Sequence, residues 1–310
     1  MNKLDETAKG VFTIAVTPFK PDGALDLDSV DSMVSFYEEK GATGLTILGI
    51  MGEAGKLTAS ESAAVIERVV ARTDLPVVVG VSSAGLAAMG ALSARAMDLG
   101  AAGVMVAPPA VLKTDQMIVD YYHDVAETLG DAPFVLQDFP LVTNVVVPVS
   151  VILQIVKDCP TCVMLKHEDW PGLEKISALR AASETGARRI SILCGNGGLF
   201  LPEEMGRGAD GAMTGFAYPE MMAHVVAAYD AGNMARAQDI FDCYLPIIRF
   251  ESQPGLGLAV RKFILAGRGA IAHDTVRKPG KPLGARAVTE VRNLQDRLTA
   301  RLGAMGLAGG

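Results

Sequence analysis

The stretch Gly100-Ala-Ala-Gly-Val-Met-Val-Ala-Pro108 decides the fold. Its first glycine closes a helix-like segment and its second opens a short apolar run, Gly103–Pro108, which is the signature of an αβ loop. The same step recurs as Gly41-Ala-Thr-Gly44 and Gly208-Ala-Asp-Gly211. In βα units of about 27–30 residues the echoes lie two and then four units apart, so they mark strands two, four and eight. Other apolar runs fill the gaps: Val11–Phe19, Pro76–Val81, Pro133–Phe139, Cys162–His167 and Ser191–Gly195, with Gly44–Leu48 and Gly211–Gly215 after the remaining echoes. Each run is nearly continuous in apolar residues, as strands buried on both faces of a parallel sheet are.

Between them the apolar spacing predicts helices over Asp28–Lys40, Ala59–Arg72, Leu86–Leu99, Asp115–Leu129 and Pro148–Lys157. Thr58-Ala-Ser-Glu61 has capping-box form, and Asp28 and Thr114 are further candidate caps. Eight βα units ending near Gly232 predict a (β/α)8 TIM barrel over residues 1–232, with its active site at the carboxyl ends of the strands. A doubly wound sheet would call for a nucleotide fingerprint, and none is found. Residues 233–310 read as helices only, at Met234–Glu251, Leu256–Ala266 and Ala285–Leu302. Such an appendage is expected to pack beside the barrel or to build an oligomer interface rather than to carry chemistry.

The chain of 310 residues is 50% hydrophobic and 20% charged, an ordinary globular composition. A formal net charge of −7 gives no basic footprint, which argues against nucleic acid and anionic membrane surfaces as partners. No apolar window is long enough for a membrane helix and the first residues are polar, so a cytoplasmic location is expected. Cys159, Cys162, Cys194 and Cys243 fall in or beside core segments and read as reduced thiols. The Cys159-Pro-Thr-Cys162 spacing joins a helix to a strand with no second such pair, which argues against zinc. No acidic or histidine cluster has metal-ligand spacing, so neither a metal nor any other cofactor is expected.

The chemistry gathers at the strand ends. Lys166 closes the apolar run Cys162-Val-Met-Leu-Lys166, where a charged ammonium is excluded unless it is paired or loses its proton; a desolvated lysine there can attack a ketone. Alternation along the strand gives Glu168 the orientation of Lys166 and turns His167 away. Gln137 and Asp138 end the preceding strand, and Thr214 and Gly215 the last. The glycine-rich loop Gly49, Ile50, Met51, Gly52 and Glu53 follows a strand, and its backbone N–H groups suit a small carboxylate; it lacks the ending of a P-loop.

These residues resemble the dihydrodipicolinate synthase / N-acetylneuraminate lyase family: the loop Gly49-x-x-Gly52-Glu53, the strand end Gln137-Asp-Phe-Pro140, Val163-Met-Leu-Lys166 with Glu168, the opening Thr17-Pro18-Phe19 and Gly211-Ala-Met-Thr-Gly215. The resemblance runs from about Val11 to Leu302. It implies a class I lyase on a (β/α)8 barrel, commonly a homotetramer, that acts on a small-molecule 2-oxo acid. Lys166 would be the Schiff-base lysine and the Gly49–Glu53 loop the binder of the 2-oxo acid carboxylate.

Four departures accompany it. Gln137 stands where the family usually has a catalytic tyrosine, and an amide cannot relay a proton as a phenol does. Ile50 and Met51 replace hydroxyl residues, Pro109-Ala110 replaces a second tyrosine region, and Val142 falls where the lysine-biosynthetic synthase has an arginine. These argue against dihydrodipicolinate synthesis itself. Gln137-Asp138-x-Pro140, Lys166-x-Glu168, Gly208-Ala-Asp-Gly-Ala-Met-Thr-Gly215 and Leu245-Pro-Ile-Ile248 resemble instead the L-2-keto-3-deoxyarabonate dehydratase subgroup, although Glu168-Asp-Trp-Pro-Gly172 is one residue longer than that group's segment. The resemblance thus implies dehydration of a 2-keto-3-deoxy sugar acid, with Lys166, Glu168, Gln137 and Asp138 as catalytic candidates. The alternatives are an aldolase or synthase joining pyruvate to an aldehyde, a cyclic imino acid deaminase, and a non-catalytic 2-oxo acid binder.

Overall fold

The computed structural model describes residues 3–170 and 172–307. Eight parallel strands close into a barrel in chain order, with β8 pairing back to β1 at Thr13 and Thr214. The strands are β1 (Gly10–Ile14), β2 (Gly44–Ile47), β3 (Val77–Gly80), β4 (Gly103–Val106), β5 (Phe134–Asp138), β6 (Cys162–His167), β7 (Ser191–Cys194) and β8 (Gly211–Thr214). Around them run α1 (Leu27–Glu39), α2 (Ala59–Arg72), α3 (Leu86–Asp98), α4 (Asp115–Leu129), the short α5 (Pro140–Thr143), α6 (Val149–Asp158), α7 (Leu173–Glu184), α8 (Leu201–Gly206) and α9 (Pro219–Asp230). The expected barrel is therefore observed, with all eight strands in place.

Both glycines of the repeated step have a physical cause. Gly41, Gly100 and Gly208 sit at positive φ, the left-handed cap that ends a helix. In each case the N–H of the residue after the glycine bonds back to the last turn: Ala42 to Tyr37, Ala101 to Ala96 and Ala209 to Glu204. The second glycine permits close approach as the strand begins. A Cβ on Gly44 would lie 2.5 Å from the Phe12 ring, and one on Gly211 would lie 1.9 Å from the carbonyl oxygen of Gly10.

The capping box at Thr58 and Glu61 forms, and Thr114 caps α4. Asp28 does not cap; Asp26 does, accepting from the Ser29 N–H at 3.3 Å, while Asp28 lies in the first turn where a carboxylate still favours the helix dipole. The apolar run Val11–Phe19 is strand only to Ile14. Val16 and Phe19 are buried beyond the strand, Phe19 in an isolated antiparallel bridge to Leu25, so their apolar character reflects burial outside the barrel sheet. Inside the barrel, Phe12, Ile14, Val78, Met105, Val135, Met164, Leu193 and Met213 form one apolar cluster below the mouth, with Leu4 among them.

The C-terminal helices α10 (Met234–Glu251), α11 (Gly257–Gly267) and α12 (Ala285–Ala304) correct an expectation. They do not merely lie beside the barrel. Ile240, Phe241, Tyr244 and Ile247 of α10 join the same core as the barrel helices, and α11 sends two buried cations, Arg261 and Lys262, to the strand ends. Lys262 donates to Glu53 at 2.5 Å, to Thr17 O at 2.8 Å and to Thr275 O at 2.8 Å. Removing one partner of such a buried pair typically costs about 3–5 kcal/mol, so this contact ties the C-terminal region to the β2 loop.

Candidate active site

Strand alternation sorts the carboxyl ends of β5 and β6 into two faces. Val135 and Met164 point into the barrel, so two residues further on Gln137 and Lys166 do as well, and Glu168 continues that face beyond β6. The three side chains meet. One oxygen of Glu168, Oε2, accepts from Gln137 Nε2 at 2.7 Å and lies 2.9 Å from Lys166 Nζ. All three are at most 5% exposed.

The chain is shaped to hold Glu168 there. Its N–H donates to Asp138 O at 2.8 Å and so extends the β5–β6 ladder. Asn196 Nδ2 donates to its carbonyl at 3.1 Å. Gly195 leaves space for the side chain: a Cβ there would lie 2.1 Å from Glu168 Cγ. Asn196 is itself at positive φ, as are Leu48 and Glu53 at the other side of the mouth. A left-handed leucine is strained, and this strain borders the cavity.

That cavity, about 530 Å³, opens at the carboxyl ends of the strands. Gln137, Lys166, Glu168, Gly49, Ile50, Met51, Thr214 and Gly215 all line it. A more open hollow of about 940 Å³ lies at the opposite end, around Lys3, Lys9 and Arg72, away from this constellation. Gly49 precedes a single 3-10 turn, Ile50–Gly52, whose first two N–H groups have no partner within the turn.

Three of the residues expected at the site do not line it. Asp138 faces outward, because it follows Gln137 on an alternating strand. It pairs with Lys175 of α7 at 2.6 Å, and Lys175 also holds Asp169 at 2.7 Å. Burial pushes the Asp138 carboxyl up to about 6, with Lys175 opposing the rise. His167, on the same outer face, is held down to about 4 by burial and by Lys175. Glu53 and Gly52 stand behind the loop. Glu53 is divided between Lys262, Lys56 at 2.7 Å and the Arg277 N–H at 3.0 Å, and Gly52 O accepts from Thr17 Oγ1 at 2.5 Å.

The cavity wall also contains residues that sequence reasoning missed. Ser252, Gln253 and Arg261 come from the C-terminal region, and Lys56 from a barrel loop. The Arg261-Lys262 pair inside the otherwise apolar Gly257–Gly267 helix was a usable signal, since buried cations in a helix need specific partners. The four cysteines are free and buried. Among the described residues no group of histidine, cysteine or carboxylate side chains is placed to hold a metal ion, and no helix is long and apolar enough to cross a membrane.

The model of the dihydrodipicolinate synthetase family matches residues 7–297. The chain belongs to that family. Its members include relatives with two different activities. It is 31% identical over 300 residues to a 4-hydroxy-tetrahydrodipicolinate synthase of Sorangium cellulosum, covering 94% of this chain and 96% of the relative. It is 28% identical over 280 residues to an L-2-keto-3-deoxyarabonate dehydratase of Azospirillum brasilense, covering 87% and 88%. Among solved structures, a dihydrodipicolinate synthase from Rhodopseudomonas palustris superposes with a TM-score of 0.95 at 51% identity, covering 96% of this chain and all of that one. Membership makes this family protein a Schiff-base lyase; the two activities of its relatives leave open which bond it breaks.

Proposed function

We propose that the protein dehydrates a 2-keto-3-deoxy sugar acid through a Schiff base on Lys166. The observation that carries this reading is the amide of Gln137 hydrogen-bonded to Glu168. Among the described residues Lys166 then has a single titratable partner, Glu168, and no phenol stands on the strand end beside it.

In this mechanism Glu168 accepts a proton from the Lys166 ammonium, and the free amine attacks carbon 2 of the 2-oxo acid. Glu168 returns that proton to the hydroxyl of the adduct, which leaves as water, so Glu168 is again a carboxylate and the adduct an iminium, an electron sink that acidifies carbon 3. The amides of the turn at Ile50 and Met51 receive the substrate carboxylate. Glu168 removes the carbon 3 proton, and the resulting enamine expels the carbon 4 hydroxyl, which leaves as water with a proton returned by Glu168. Hydrolysis of the iminium then frees the product and Lys166. One carboxylate serves each of these proton transfers in turn. Cleavage between carbons 3 and 4 would instead require the carbon 4 hydroxyl to lose its proton, the role suited to a phenol.

The second reading is carbon–carbon bond chemistry with pyruvate, favoured by the likeness to 4-hydroxy-tetrahydrodipicolinate synthases. Product analysis with a 2-keto-3-deoxy pentonate separates the two. Dehydration gives a semialdehyde, and cleavage gives pyruvate with an aldehyde. Ammonia from a cyclic imino acid would indicate a deaminase, and binding without turnover a sensor. Pyruvate as the main product would overturn the proposal.

A further inference from the structure

Arg261 and Lys262 are neighbours on α11, both buried, yet only one is satisfied. Lys262 uses its donors on Glu53 and two carbonyls. Arg261 donates through Nε to Glu251 at 2.6 Å and through Nη2 to Gly215 O at 2.5 Å, while Nη1 has no partner. A buried N–H left unpaired is costly, and in native proteins it calls for an occupant or an explanation.

The position of Nη1 supplies one. A Cβ on Gly215 would lie 1.9 Å from it. Met213 of β8 points into the barrel, so two residues on, the side-chain direction of Gly215 points to the barrel mouth. Nη1 therefore overhangs the mouth, and Arg261, Gly215, Ile14 and Lys166 all line one cavity.

The charge of this guanidinium is already answered. Glu251 is 4% exposed and accepts from Arg261 through one oxygen and from the Ala217 N–H, at 3.2 Å, through the other. A group reaching Nη1 meets one hydrogen-bond donor on a compensated pair. That suits a neutral acceptor such as a hydroxyl oxygen. A second carboxylate would lose its hydration, gain a single N–H and face the buried Glu251 charge. The other cations of the wall do not change this balance: Lys56 is held by Glu53 and by Arg277 O, and Lys281 stands exposed at the rim.

We propose that Arg261 is a specificity-determining residue that receives a hydroxyl at the far end of the substrate, and that the Arg261–Glu251 pair discriminates against 2-oxo acids bearing a second carboxylate. The proposal rests on the lyase reading above, in which Lys166 holds carbon 2.

The test is borohydride trapping on Lys166 with three five-carbon ligands: 5-hydroxy-2-oxopentanoate, which carries the far-end hydroxyl and has no carbon 4 hydroxyl to lose, 2-oxopentanoate and 2-oxoglutarate. In the wild-type protein the hydroxylated acid should reach half-maximal trapping at roughly ten-fold lower concentration than 2-oxopentanoate, the scale of one hydrogen bond from a charged donor. 2-Oxoglutarate should need more than either. Arg261→Lys should bring the first ratio close to one, with turnover losing through KM more than through kcat. Gly215→Ala, whose Cβ displaces Nη1 without removing the ion pair, should do the same and serves if the buried lysine variant does not fold. A ratio unchanged in a folded variant, or 2-oxoglutarate trapped more readily than 2-oxopentanoate, would overturn the proposal. Absence of any adduct with all three ligands and with pyruvate would instead remove the lyase reading beneath it.

Discussion

The ends of β5 and β6 carry two buried lysine–carboxylate pairs back to back. On the inner face Lys166 meets Glu168 at 2.9 Å; on the outer face Lys175 meets Asp138 at 2.6 Å. Each pair joins a lysine to a carboxylate at nearly the same depth, Glu168 on the inner face and Asp138 on the outer. They differ in what lies beside them. The inner pair opens on a cavity of about 530 Å³, and its third partner is a neutral amide, Gln137. The outer pair is packed between strand and helix, and Lys175 also bonds Asp169. A lysine facing one carboxylate and a void has room to become a nucleophile; a lysine clamped by two carboxylates is a structural cation.

The largest expected effect breaks the comparison outright. Lys166→Ala should abolish the borohydride adduct and turnover, because the mechanism proposed above forms its covalent link on that amine. Lys175→Met should leave the adduct on Lys166 detectable while lowering stability by about 3–5 kcal/mol, the usual result of leaving buried charge unpaired. Mass mapping of the adduct and urea unfolding measure the two. An adduct on Lys175, or turnover that survives Lys166→Ala, would reverse the assignment of faces.

A smaller effect tests the outer face through pH. The folded value of Asp138, about 6, exceeds the unfolded value of about 3.9. Its contribution to stability is full below about pH 4 and is lost as pH rises through about 6. His167 has the opposite sign: its folded value of about 4 lies below the unfolded ~6.5, so its contribution is full above about pH 6.5 and is lost as pH falls towards 4. At ~1.36 kcal/mol per tenfold change, each is worth up to about 3 kcal/mol, and in the wild-type protein the two slopes oppose. Relative to wild type, Asp138→Asn should gain stability as pH rises from 4 to 6.5, and His167→Asn should lose it. Unfolding midpoints at several pH values give the slopes; equal slopes in both variants would show that these groups do not titrate as the geometry implies.

The inner face was largely legible in the sequence, because a period of two fixes which residues share a side. Lys166, Glu168 and the turning away of His167 followed from it. Asp138 was grouped with Gln137 although consecutive strand residues face apart, so that error lay in not applying the same rule to β5. The C-terminal contribution had a different obstacle. Arg261 reaches Gly215, and Lys262 reaches Glu53, across 46 and 209 residues of chain. No local period encodes such docking, and Glu53 read as a loop carboxylate near the ligand until its partners were known. The strand-opening glycines were legible through their repetition, although their reason also lies across the sheet: a Cβ would strike the neighbouring strand.

The smallest expected effect sharpens the comparison at its hinge, the adjacent residues Gln137 and Asp138 on opposite faces of one strand. If the inner amide is what disfavours carbon–carbon cleavage, Gln137→Tyr should raise pyruvate relative to semialdehyde, since a phenol beside Glu168 could relay the carbon 4 hydroxyl proton. A well-placed general acid–base group contributes ~10²–10⁴-fold to a proton transfer, and an imperfectly placed tyrosine should still move the product ratio about tenfold. Total rate should fall as well, because the ring is larger than the amide and takes space from the cavity; the ratio carries the test. Asp138→Tyr is no substitute control, since a ring forced between β5 and α7 would disrupt packing, so the comparison is made with Asp138→Asn, which should leave the ratio unchanged. A ratio unmoved in a folded Gln137→Tyr protein that still forms the Lys166 adduct would show that reaction choice is set elsewhere on the inner face, and would favour the carbon–carbon reading.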